Sequence, residues 1–95
     1  MDMEVAEELW YWRGPAPYHF ITVPEGACVE LRAVSALVSY GWGMIPVSVR
    51  IGGSAWETSL FPKNGGYVVP IMDAVRAAEG LALGDTATLE LAIRS

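Results

Sequence analysis

The sequence predicts a mainly β protein: a small, mostly antiparallel β-barrel of order β-β-α-β-β-β-α-β, with two short helices plugging its ends. Three observations lead there. Ile45, Val47, Val49 and Ile51 fall at every second position, and period two with β-branched residues marks a half-buried strand. Gly52-Gly53 and Asn64-Gly65 punctuate the centre of the chain and suit hairpin turns. Six strands with only two short helices cannot make a doubly wound sheet, whereas closure into a barrel removes exposed edges.

Residues 4 to 13 read as the first strand, with Leu9 and Tyr11 on one face and Trp10 and Trp12 on the other. Aromatics on both faces predict a strand covered on both sides, or covered by a partner chain. Gly14-Pro15-Ala16-Pro17 is a loop. Tyr18 to Val23 is a second strand, antiparallel to the first.

Pro24-Glu25-Gly26 opens a helix that runs to about Val38, because proline suits a helix start. Ala27, Leu31, Val34 and Val38 form its buried stripe, widened by Cys28 and Leu37. Gly41-Trp42-Gly43 then breaks the helix, with Trp42 placed as a plug for one barrel end or as the wall of a ligand cleft.

The strand from Ile45 to Ile51 turns at Gly52-Gly53 into a strand from Ser54 to Phe61. A two-residue loop sets Ile51 opposite Ser54, Val49 opposite Trp56 and Val47 opposite Thr58. Arg50, Glu57, Ser48 and Ser59 then share the other face. Pro62 to Gly66 is the next turn, followed by a short strand over Tyr67 to Val69 closed by Pro70. A helix covers about Met72 to Glu79, with Asp73 in its first turn, Val75 and Ala78 toward the sheet and Arg76 beside them. Gly80 ends it. The last strand, Thr86 to Ile93, turns Ala87, Leu89, Leu91 and Ile93 inward.

The chain has 95 residues, 53% of them hydrophobic and 18% charged, which fits one domain over residues 1–95. No apolar run reaches the ~18 residues of a membrane span, and the acidic N-terminus carries no signal-peptide pattern. One cysteine, Cys28, allows no internal disulfide and fits a cytoplasmic setting. One histidine, His19, lacks neighbours for a metal set, so no metal and no cofactor are expected. A net charge of −5, with basic residues scattered, argues against nucleic-acid binding.

Gly41-Trp42-Gly43, Pro46-Val47, Thr58-Ser59-Leu60-Phe61-Pro62, Tyr67, Pro70, Arg76 and Gly84-Asp85 together resemble an uncharacterised bacterial family of unknown function. Its members occur alone or joined to proteins of the YdeI/OmpD-associated type. The resemblance spans nearly the whole chain and implies a double-split β-barrel, related in fold to AbrB-like domains. Residues 68–91 also resemble the AbrB half-motif of strand, proline, helix, Gly-Asp and strand. AbrB-like domains bind DNA as dimers through basic surfaces, and this chain lacks such a surface.

No nucleophile–base pair stands out, so no catalytic residue is assigned and an enzyme is the less favoured class. The leading expectation is a non-catalytic binding module for a small, anionic ligand or a protein partner, as a monomer or homodimer. Trp42, Arg50, Trp56, Thr58, Ser59, Lys63, Tyr67 and Arg76 are the candidate ligand-binding residues. The register puts Thr58 on the Trp56 face and Ser59 on the Arg50 face, so they share a pocket only at a strand end or a bend. An AbrB-like regulator is the first alternative. A hydrolase using the hydroxyl and arginine set, with Glu57 as base, is the second.

Overall fold

A computed structural model describes residues 2–13 and 18–94. Six strands and two helices follow the predicted order: β1 (Asp2–Trp12), β2 (Tyr18–Thr22), α1 (Glu25–Val38), β3 (Ile45–Ile51), β4 (Ser54–Lys63), β5 (Gly66–Ile71), α2 (Asp73–Glu79) and β6 (Thr86–Ile93). The strands close into a barrel in the order β1-β2-β5-β4-β3-β6, with every pairing antiparallel. The predicted loop Gly14-Pro15-Ala16-Pro17 lies outside the described residues.

Two long strands are each divided between two sheets. β1 pairs with β6 from Asp2 through Glu8 and with β2 from Leu9 through Trp12. β4 pairs with β3 from Ser54 through Leu60 and with β5 from Phe61 through Lys63. This division is the double split. It also explains how proline enters the strands. Pro46, Pro62 and Pro70 each have a ladder partner on one side only, so each meets the edge-like setting that proline needs.

The β3–β4 register is the predicted one, with Ile51 opposite Ser54, Val49 opposite Trp56 and Val47 opposite Thr58. The turn chemistry differs. Only Gly52 takes a positive φ, at 56°, so the loop needs left-handed backbone at its first central position alone. The second hairpin is tighter than expected. Pro62 and Lys63 extend β4, and Asn64 and Gly65 form the turn with φ of 51° and 80°, as a two-residue loop of the mirror-image type requires. Pro70 does not close β5 but sits inside it, opposite Phe20.

The barrel interior holds Val5, Leu9, Ile21, Ile45, Val47, Val49, Leu60, Val69, Leu89 and Leu91, all under 5% exposed. Cys28 and Leu31 of α1 and Val75 of α2 join this core, so both helices pack onto the barrel. Three expected core contacts are absent. Leu37 is 86% exposed and Trp42 is 92% exposed, and Ala78 also faces solvent. Leu37 lies on the side of α1 away from Cys28 and Leu31, beyond the arc that contacts the barrel. Trp42 cannot plug a barrel end, because its turn carries it outward.

A second apolar cluster sits outside the barrel. Phe20, 1% exposed, lies under Trp10, Trp12, Tyr18 and Phe61, with ring centroids 5.3 to 6.3 Å from its own. Trp10 donates its indole N–H to the Thr22 hydroxyl at 2.8 Å. The expectation of cover on both faces of the first strand is thus met within the chain, although Trp12 and Tyr18 keep about half their surface open.

Candidate functional site

The eight candidate residues fall in separate places. Trp42 stands on its turn in solvent. Arg50 lies on the outer face of β3, beside Glu90 at 3.8 Å, in a groove with Ser48 and Ala55. Trp56 turns inward and packs on the core, with its indole N–H buried and without an acceptor among the described residues. Thr58 and Ser59 line a shallow hollow with Glu57 and Arg94. Lys63 and Tyr67 share a cleft with Cys28, and the Lys63 ammonium sits 4.2 Å from the Trp12 ring centroid. Arg76 occupies a further cavity. The structure therefore joins Thr58 with Ser59 and Lys63 with Tyr67, and it does not gather the eight residues around one ligand.

The Ser59 hydroxyl meets the Tyr40 hydroxyl, and His19 lies in the Arg76 cavity. No serine–base pair forms between them. Among the described residues no three His, Cys, Asp or Glu side chains gather as a metal set. No helix of the described residues is long and apolar enough to cross a membrane.

The Arg76 cavity has the most chemistry. Its volume is about 460 Å³ and it is lined by Tyr11, Tyr18, His19, Ile71, Met72, Asp73 and Arg76. The local sequence explains the assembly. Tyr11 and His19 are cross-strand partners at the end of the β1–β2 hairpin, and their rings lie 4.7 Å apart. His19 also pairs with Ile71, the last residue of β5. The chain passes from Ile71 through Met72 into α2, which carries Asp73 and Arg76 to the same rim.

Arg76 donates from one terminal guanidinium nitrogen to the Asp73 carboxylate at 2.7 Å. Its side chain is 27% exposed, against 88% for Asp73. The Arg76 Nε–H is buried and has no acceptor among the described residues. Leaving such a donor unmatched costs about 1–3 kcal/mol.

The electrostatics follow from these positions. Burial, and then the positive charge of Arg76, push the His19 pKa below its ordinary 6.5, with Asp73 opposing them. The hydrogen bond from Arg76, followed by its charge, holds the Asp73 carboxyl below its ordinary value. The site therefore sets the Arg76 guanidinium and a His19 ring biased toward its neutral form beside the Tyr11 and Tyr18 rings, with the Asp73 carboxylate at the outer edge.

Sequence reasoning found Arg76 but set His19 aside and missed Tyr11 and Asp73 as site residues. The Asp73–Arg76 spacing was a readable helical ion pair. The meeting of His19 with α2 depends on β2–β5 pairing, which has no local signal.

The fold and site define a small closed antiparallel barrel with an aromatic-rimmed cavity that holds the Arg76–Asp73 pair beside its second helix. The chain belongs to the family described as Domain of unknown function (DUF1905), whose model matches residues 7–91. No curated protein matches the chain.

Proposed function

We propose that this protein is a non-catalytic binding module that takes a small ligand through an anionic group at Arg76. One observation carries the reading: the Arg76 side chain, 27% exposed, gives one terminal nitrogen to Asp73 and lines a cavity shared with His19, Tyr11 and Tyr18. A carboxylate or phosphate oxygen offers guanidinium the charge-assisted hydrogen bonds it makes best. The phenol and imidazole rings suit a ligand with a flat apolar body.

Nucleic acid is a weaker reading. Arg32, Arg50, Arg76 and Arg94 each pair with a carboxylate of this chain, which leaves little clustered positive charge for a phosphate backbone.

The test is a titration of isotope-labelled protein with inorganic phosphate, acetate and benzoate, followed by amide shifts. Saturable shifts confined to Tyr11, His19, Ile71, Asp73 and Arg76, and lost in Arg76→Gln, are the expected result. Shifts spread over the surface, or shifts that survive Arg76→Gln, would discard the assignment.

A further inference from the structure

Arg76 and Asp73 stand in one cavity as two opposite charges in contact. A terminal guanidinium nitrogen meets Asp73 Oδ1 at 2.7 Å. Of the residues lining the cavity, these two carry the full charges, so the site as a whole is close to neutral. Burial and the Arg76 charge bias His19 toward its neutral form, which leaves the imidazole one nitrogen that accepts hydrogen bonds. The Asp73 side chain is 88% exposed, so its carboxylate is open to whatever approaches Arg76.

A simple anion is poorly matched to this arrangement. Drawn to the guanidinium, it comes to lie beside the Asp73 carboxylate, and like charges at that range repel. A ligand that carries a positive charge next to its negative one turns this repulsion into attraction.

We infer, building on anion capture at Arg76, that the ligand is a zwitterion: a free α-amino acid with an apolar side chain. The spacing favours this class. The two site charges touch, and in an α-amino acid the carboxylate and the ammonium share one carbon. A peptide holds its terminal charges at opposite ends, and a simple carboxylate or phosphate has no cation.

The hydrogen-bonding groups agree. An ammonium donates three bonds and accepts none. Asp73 supplies a charged acceptor and His19 a neutral one, while the Tyr11 and Tyr18 rings attract a cation. Guanidinium only donates, so the ligand's carboxylate goes to Arg76 and its ammonium to Asp73. The rest of the lining, Ile71 and Met72, is apolar. With the Tyr11 and His19 rings 4.7 Å apart beside it, this part of the cavity suits an apolar side chain.

The experiment titrates the isotope-labelled full chain with three molecules of similar shape. They are phenylalanine, phenylpropionate, which lacks the ammonium, and phenylethylamine, which lacks the carboxylate. Amide shifts of Tyr11, His19, Ile71, Asp73 and Arg76 report binding. Phenylalanine binds about fivefold more tightly than phenylpropionate, the upper range for one exposed ion pair, and phenylethylamine is weaker still. Asp73→Asn weakens phenylalanine and strengthens phenylpropionate, so the preference disappears. Because Asp73 is exposed, this variant keeps the native circular dichroism. Glu90→Gln, which removes the same charge from a different groove, leaves the preference unchanged. Phenylpropionate binding as tightly as phenylalanine overturns the zwitterion and leaves anion capture standing. So does a preference that survives Asp73→Asn, or one that falls equally in Glu90→Gln. Phenylethylamine binding as tightly as phenylalanine overturns both readings, as do cavity shifts that are absent with all three or unchanged by Arg76→Gln.

Discussion

The Ser54 hydroxyl donates to the Glu79 carboxylate at 2.6 Å, and this bond ties the start of β4 to the end of α2. Gly52 lies under the same carboxylate: a Cβ there would collide with the Glu79 side chain, and its φ of 56° is one that other residues resist. Gly52→Ala therefore both strains the turn and displaces Glu79 from Ser54. The expected cost is about 1–2 kcal/mol, read as a lowered thermal midpoint. Gly53, with open space and no positive φ, is the control. Gly53→Ala should leave stability unchanged or slightly higher.

His19 gives the protein a pH dependence whose sign is fixed by geometry. Its folded-state pKa lies below the unfolded value of 6.5, so the unfolded chain binds the proton more readily. Its contribution to stability is complete above 6.5 and is lost as pH falls through 6.5 toward the folded value. A ring titration by NMR should place the midpoint below 6.5. Asp73→Asn should lower it further, and Arg76→Gln should raise it, because the two charges act in opposite senses.

The Tyr40–Ser59 contact holds the Trp42 turn against β4. Ser59 is 9% exposed and Tyr40 49%, so the bond is part-buried. Tyr40→Phe and Ser59→Ala should each cost about 0.5–1.5 kcal/mol, and the double variant should cost little more than either one. Fully additive losses would show that the hydroxyls do not act as a pair.

Cys28 is 1% exposed, with its Sγ 3.4 Å from the Val23 carbonyl. It should resist thiol reagents in the folded protein and react on unfolding. Rapid labelling under native conditions would show that the start of α1 opens readily.

Arg50 and Glu90 are each 64% exposed and 3.8 Å apart. Arg50→Ala should change stability by less than about 0.5 kcal/mol, as screened surface pairs do.

Local signals carried most of the fold. Period-two alternation located β3, β4 and β6, and the Gly52 and Asn64-Gly65 turns set the hairpin registers. Proline misled where it was read as punctuation, because the division of β1 and β4 between two sheets creates one-sided positions that a strand-by-strand reading cannot see. Leu37 misled for a related reason: its spacing fits a helical stripe, but the width of that stripe depends on how far the barrel wraps α1. The site was the least legible part. Arg76 was visible as a charge beside an apolar helix face. Its companionship with His19 and Tyr11 depends on two long-range pairings, His19 with Ile71 and Tyr11 with His19.

The pairing of β1 with β6 has a kinetic meaning. Asp2 lies beside Ala92 and Val5 beside Leu89, so the ring of strands is joined by residues from opposite ends of the chain. Such contacts require the largest loop to close, at an entropic cost that grows with its length, and they slow folding. The hairpins of β3, β4 and β5 are local and can form before β6 pairs. Until it does, β1 and β3 each present an unpaired edge to other chains. The interval before the last strand arrives is when this protein is most exposed to aggregation, and substitutions that weaken β6 should appear first as poor soluble yield.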